Sequence, residues 1–224
     1  MDEQQIIFVD STMPELSKIG RSIGRIVYVY GEFSQSLTKE CVTSIFELVA
    51  EDQKLPIALL IDSYGGDVDS LLSLMDFIDS IPNDVHTIVM GKAMSAAAYL
   101  AMSGKKGYRY AFKNARFMTH EILMGQQGFS TLTEHQNEIQ ELQELQGILN
   151  SIVAKNTNIK TKADLKKYIS SKDYYMSPAE AVDLGIIDNI IDRKSMKEII
   201  RQFIIDPEKE EEERCQPSKT TKRS

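Results

Sequence analysis

The sequence predicts an α/β protein built from βαβ units. Up to about residue 103, short β-branched or apolar runs alternate with longer segments of helical periodicity, the pattern of strands joined by crossover helices. One run, Ile57–Ile61, is apolar at every position, as expected of a strand buried on both faces of a parallel sheet. The 224 residues are 42% hydrophobic and 26% charged, an ordinary globular balance with enough apolar mass for a core.

The elements follow in order. Residues 1–25 form a polar arm, with Ile6–Val9 as a short strand within it. Ile26–Tyr30 is β-branched and aromatic and reads as a strand that Gly31 ends. Leu37–Ala50 carries Val42, Ile45, Phe46 and Val49 at helical spacing, and Pro56 separates it from the strand Ile57–Ile61. Asp67–Ile81 presents Val68, Leu71, Leu72, Met75 and Ile78 on one helical stripe and is broken by Pro82-Asn83. Val85–Met90 is the next strand and Ser95–Met102 the next helix. Tyr108–Phe112 and Arg116–Thr119 read as short strands, and Gly125–Gly128 as an extended or turn segment.

The longest helical pattern runs from about Leu132 to Lys155. Ile139, Leu142, Leu145, Leu149, Ile152 and Val153 recur on a narrow stripe, with Glu and Gln opposite. Such a helix either projects toward a partner or lies on its own core, and the pattern alone does not choose. Ala163–Ile169 and Pro178–Leu184 are shorter helices. The second opens on Ser177-Pro178-Ala179-Glu180, a capping serine with proline at the first helical position, and Gly185 is its stop. Ile186–Ile191 is the last strand. From Asp206 the chain carries Glu210–Glu213 and then basic, polar residues, the composition of a disordered tail.

The net charge of −7 argues against a nucleic-acid-binding role, which shows as a basic surplus. The cysteines, Cys41 in a helical pattern and Cys215 in the tail, make neither a CxxC pair nor a disulfide framework, and Cys41 reads as a core thiol. No metal site is expected. The first ten residues have the wrong charge for a secretory signal, and the apolar runs are too short to span a bilayer, so a cytoplasmic location is expected.

Three histidines are available as bases. His86 sits within a strand and reads as structural or partly exposed. His135 belongs to the charged helix and reads as solvated. His120 closes the strand Arg116–Thr119, where α/β enzymes place site groups. Ser95 lies at a strand–turn–helix junction among small residues, Gly91-Lys92-Ala93-Met94-Ser95-Ala96-Ala97-Ala98. Such a serine is presented on a sharp elbow beside helix amides, or else merely caps a tightly packed helix, and both readings fit. Gly65-Gly66 also follows a strand and leaves backbone amides open to an oxyanion or a phosphate, although the lysine of a P-loop is missing.

Four ordered segments carry a family resemblance. They are Ile61-Asp62-Ser63-Tyr64-Gly65-Gly66-Asp67-Val68, Val89-Met90-Gly91-Lys92-Ala93-Met94-Ser95-Ala96, Asn114-Ala115-Arg116-Phe117-Met118-Thr119-His120 and Asp173-Tyr174-Tyr175-Met176-Ser177-Pro178-Ala179-Glu180-Ala181. Together they resemble the signature blocks of the proteolytic subunit of the Clp protease, and the similarity runs from about Ile26 to Ile191. The resemblance implies a spiral of βαβ units, shared with crotonase-like proteins, and a projecting strand–helix handle over about residues 122–158. It divides the chain into an arm (1–25), a peptidase domain (26–192) and a C-terminal helix with an acidic tail (193–224).

The resemblance also implies a serine endopeptidase. Ser95 matches the nucleophile, His120 the general base, Asp173 the acid that orients the base, and Gly66 and Ala96 the amides of the oxyanion hole. Substrate would add as a strand beside Gly65, Gly66 and Val68 on one side and Leu123, Met124 and Gly125 on the other. Family members stack heptameric rings in pairs and degrade unfolded proteins or peptides in the chamber. They need no cofactor of their own, and ATP is used only by a Clp-type ATPase partner. The sequence departs from the family at three points. Tyr64 stands where a proline is usual, Ala96 where a methionine follows the nucleophile, and Glu121-Ile122 where Gln-Pro follows the histidine. The rival readings are a crotonase-like acyl-CoA enzyme and a catalytically silent ring or scaffold subunit.

Overall fold

The computed structural model describes residues 22–123, 131–170 and 172–203. Its centre is an eight-stranded mixed sheet. β1 (Ser22–Ile23) pairs antiparallel with β2 (Ile26–Phe33). β2 then runs parallel to β3 (Ile57–Gly66), and β3 to β4 (Val85–Met94), with α1 (Gln35–Glu51) and α2 (Val68–Ser80) as the crossovers. α3 (Ala96–Ser103) leads to β5 (Arg109–Ala111), which pairs with the first part of β4, while β6 (Arg116–Thr119) pairs with its last part. After α4 (Leu132–Asn156) and α5 (Lys162–Tyr168), β7 (Tyr174–Met176) returns antiparallel to β6. α6 (Pro178–Asp183), β8 (Asn189–Ile190) beside β5, and α7 (Arg193–Phe203) complete the described chain.

The alternation of side chains along the strands divides the core. Val27, Val29, Leu59, Ile61 and Val89 face α1, α2 and α3 and form the larger apolar cluster with them. Ile26, Ala58 and Ile88 point the other way, against Ile199 and Phe203 of α7. β3 is therefore buried on both faces over Ile57–Leu59, as its unbroken apolar run predicts.

Most elements lie where the periodicity sets them, and the differences have local causes. Gly31 does not end β2. It sits inside the strand at φ +91°, where the pairing slips from Tyr30↔Asp62 to Glu32↔Gly65. A bulge with a left-handed residue is a place that suits glycine. The buried face of α1 is Leu37, Cys41, Ile45 and Leu48, turned from the expected stripe, so Phe46 is left exposed against Phe77. Ile186 and Ile187 are buried but belong to no strand. Their N–H groups turn back to the carbonyl of Ala181 at 2.8 and 3.3 Å and close the end of α6, leaving only Asn189–Ile190 to pair. Residues 22–25, placed with the arm in the sequence, join the sheet. Arg25 is buried and donates to the carbonyls of Leu48, Asp52, Leu55 and Pro56.

α4 packs only through its C-terminal half, where Leu149 and Val153 are buried, while Leu132 and Ile139 near its start are exposed. The helix thus projects, as the handle reading expects. The Ile6–Val9 strand, the Gly125–Gly128 segment, Cys215 and the acidic tail lie outside the described residues. No described helix is long and apolar enough to cross a membrane.

Candidate active site

Three strand ends bring the predicted residues together. β4 ends at Met94, β6 ends at Thr119 and β7 begins at Tyr174, so Ser95, His120 and Asp173 each stand one residue past a strand end. β6 lies between the other two, with Met94 paired to Met118 and Thr119 paired to Tyr174. Continuing these registers by one residue sets Ser95 opposite Thr119, next to His120, and sets His120 opposite Asp173. The Ser95 N–H still follows the ladder and donates to the carbonyl of Met118 at 2.9 Å.

Ser95 has φ +50° and ψ −124°, and among the described residues it is the single non-glycine with a positive φ. Holding an L-residue there costs on the order of 1–3 kcal/mol, a strain that concentrates at functional turns. Ser95 precedes α3 but makes no side-chain capping bond to it, which removes the alternative in which the hydroxyl only caps the helix. Ala96 is the first residue of α3, and its N–H is among those a helix leaves without an internal acceptor.

The glycine pair fits against this elbow. Gly65 adopts φ +100°, and a Cβ placed on it would lie 2.7 Å from Ser95 Cβ and 2.9 Å from Ala96 N. Gly66 adopts φ +141°, with no room for a Cβ against the backbone of Phe33. The turn is pinned by Ser63, whose hydroxyl donates to Gly31 O at 2.5 Å and accepts from Gly65 N at 3.0 Å.

A pocket of about 270 Å³ opens over these groups. Ser95, Ala96, Gly66, His120, Val68 and Leu123 all line it. Asp173 does not line it and is exposed, and Met124 and Gly125 lie outside the described residues. The His120 ring contacts the carbonyl of Glu121 through Nδ1. Asp173 accepts from the Tyr175 hydroxyl at 3.2 Å, and this carboxylate raises the pKa of the phenol. No hydrogen bond joins Ser95, His120 and Asp173 in this arrangement of side chains.

A model of the Clp protease family matches residues 17–194, a span that contains all three strand ends, the glycine turn and the pocket. The chain belongs to the Clp protease family. Its fold is that family's α/β fold, and its class of activity is that of a peptidase.

Several pocket residues of this family member escape a reading by motif. Tyr99, Leu71 and Leu149 line the site, yet in the sequence Leu71 and Leu149 read only as apolar-stripe residues and Tyr99 carries no signal of its own. The available signal is periodicity. Tyr99 lies four residues after Ser95 and Leu71 three after Val68, so each shares a helix face with a residue already singled out. Tyr64 and Glu121, two of the departures from the family pattern, also line the pocket. Tyr64 is 71% exposed, and its ring lies beneath Lys92 Nζ at 4.4 Å. His86, by contrast, is buried on the other side of β4, stacked on Tyr108. His135 meets Glu138 on α4 at 3.7 Å.

Proposed function

We propose that the chain is a serine endopeptidase with Ser95 as nucleophile, His120 as general base and Asp173 as the group that orients the imidazole. The observation that carries this reading is the left-handed Ser95, held at a strand–helix junction in one pocket with His120. His120 Nε2 takes the hydroxyl proton while Ser95 Oγ attacks the peptide carbonyl carbon. The oxyanion that forms is received by the N–H groups of Gly66 and Ala96. His120 returns the proton to the departing amine, and water then cleaves the acyl ester by the same route. Substrate adds as a strand between the Gly65–Val68 edge and the segment that begins at Leu123.

The oligomeric part of the reading rests on α4. A helix that buries only its C-terminal half and exposes Leu132, Ile139 and Ile148 is suited to packing between copies. We take the copies to form stacked heptameric rings around a chamber, supplied with unfolded chains by an ATP-driven unfoldase. A fluorophosphonate probe tests the chemistry. Wild type should be labelled, Ser95→Ala should not, and His120→Ala should be labelled far more slowly with its fold intact. Equal labelling of wild type and Ser95→Ala would remove Ser95 from the mechanism. A species of single-chain mass on a sizing column at working concentration would remove the ring.

A further inference from the structure

The pocket over Ser95 has an aromatic rim that acyl transfer does not use. Tyr64 lines it together with Gly66, Ser95 and His120, and Tyr64 is 71% exposed. The ring is held in place. Lys92 Nζ lies over one of its faces, 4.4 Å from the centroid, and Lys92 is itself tied to Asp62 Oδ1 at 2.8 Å. Asp62 and Tyr64 are two residues apart on β3 and so share a side of the strand. A fixed, exposed ring offers a large contact area at little cost in side-chain entropy. It also stands close to the reacting centre. A Cβ on the next residue, Gly65, would lie 2.7 Å from Ser95 Cβ, which sets Tyr64 Cα within about 8 Å of Ser95 Cβ. The residues that flank a bond under attack by Ser95 are thus within reach of the ring.

We propose that Tyr64 forms the wall of a subsite for an aromatic side chain, on the leaving-group side of the bond that Ser95 attacks. The inference rests on the reading of Ser95 as nucleophile and names the substrate class for that site. With the acyl half of the substrate along Gly66–Val68, the leaving half passes the other side of the glycine turn, where Tyr64 stands. The chemistry of the ring sets the preference. An aromatic face attracts a cation, but Lys92 already occupies one face, and a second cation on the other would meet a ring whose electrons are drawn toward the first. The open face therefore suits an uncharged partner. An aromatic side chain gains from stacked or edge-on geometry beyond the area it buries, and an aliphatic one gains from the area alone. Tyr64 is also one of the three departures from the family pattern, so the preference belongs to this chain rather than to its fold.

A mixture of short, unstructured peptides of random sequence would be digested with the full chain and the cut positions read by mass spectrometry. Corrected for abundance, phenylalanine, tyrosine and tryptophan should follow the cut about threefold or more as often as leucine, and lysine and arginine less often than leucine. Tyr64→Ala and Tyr64→Leu should each bring the aromatic-to-leucine ratio close to one. The ratio is read within one digest, so a general loss of rate does not disturb it, and the wild-type ratio decides alone if neither variant folds. No aromatic preference after the cut, a preference confined to the acyl side, or a ratio that survives both substitutions would each overturn the proposal. So would a chain that fluorophosphonate labels at Ser95 but that cuts no peptide. Absence of both cutting and labelling would bring down the reading of Ser95 together with the subsite.

Discussion

The Tyr175 hydroxyl donates to the Asp173 carboxylate at 3.2 Å, and so occupies the group that the β6–β7 register sets opposite His120. Tyr175 is 52% exposed and neither partner is buried, so the bond exchanges readily with water and is weak.

Removing the competing hydroxyl should therefore favour the triad. Tyr175→Phe is expected to raise the rate of fluorophosphonate labelling about two- to fivefold, the span of a weak hydrogen bond. Melting temperature should stay the same. A fall in labelling rate would mean that Tyr175 helps to hold Asp173 in place.

A second tether lies just upstream of Ser95. Ile61 pairs with Val89 but Ser63 pairs with Ala93, so Met90, Gly91 and Lys92 stand opposite the single Asp62. Lys92 Nζ meets Asp62 Oδ1 at 2.8 Å, and this hydrogen bond raises the lysine pKa. Gly91 leaves room for the carboxylate, since a Cβ there would lie 2.7 Å from Asp62 Oδ2. Lys92→Met should cost only about 1 kcal/mol in urea unfolding, the worth of a partly exposed pair. It should slow labelling about tenfold, because the bulge sets the direction in which β4 enters the elbow. Labelling that falls no more than stability would make the pair merely structural.

Gly65 admits no side chain for two independent reasons, its φ of +100° and the 2.6 Å between a built Cβ and Met94 O. Gly65→Ala should displace the glycine turn from Ser95 and Ala96. Labelling should drop at least a hundredfold, on the scale of losing an oxyanion donor. Stability should fall by about 1–3 kcal/mol. Near-wild-type labelling would show that the turn does not serve the site.

What the sequence made legible follows from how local each signal is. The runs at Ile26, Ile57 and Val85 identify their strands because burial on both faces demands apolar residues in succession. Ser177 and Glu180 mark the start of α6 within four residues, and the capping box is present. Ser95 was visible as a junction residue, but its positive φ depends on β4, β6 and the glycine turn meeting there. Asp173 has no local signature at all. Its placement comes from the pairing of Thr119 with Tyr174, a contact between distant parts of the chain that only the family pattern could supply. Tyr99 was hidden because a tyrosine in a small-residue helix reads as core until the pocket beside it is seen.

His86 gives the fold an acid limit. It is buried between Tyr108 and Phe203, with ring centroids at 4.3 and 5.1 Å, and its Nδ1 has no hydrogen bond. Burial lowers its pKa to about 4, with Asp84 opposing and Lys105 assisting. The folded state thus binds the proton less readily than the unfolded chain, whose histidine titrates near 6.5. Stability from this group is full above about pH 6.5 and is lost as pH falls toward 4, by roughly 3 kcal/mol at most. Urea unfolding at pH 7 and pH 4.5 measures the loss. His86→Phe should remove most of it, and an unchanged pH dependence in that variant would assign the acid sensitivity to other groups.

The ion pair of buried Arg109 and half-buried Asp188 joins the sheet to the base of the projecting helix. Arg109 is 2% exposed and grips Asp188 through Nε at 2.9 Å and Nη2 at 2.7 Å. Its Nη1 donates to Met102 O at the end of α3 and to Asn156 O at the end of α4. Burial alone would raise the Asp188 carboxyl, but the hydrogen bonds and charge of Arg109 outweigh it and hold the pKa below the usual carboxylate range. Arg109→Met leaves that carboxylate with backbone donors from Gly107 and Arg109 but no cation, and it frees two helix-end carbonyls. The expected cost is about 3–5 kcal/mol in urea unfolding, the range for breaking one side of a buried pair. Arg109→Met combined with Asp188→Leu should recover part of it, because no uncompensated charge remains. If the double variant is no more stable than Arg109→Met, the loss comes from the α3 and α4 carbonyls rather than from the charge, and Arg109 holds the fold chiefly as a clamp on helix ends.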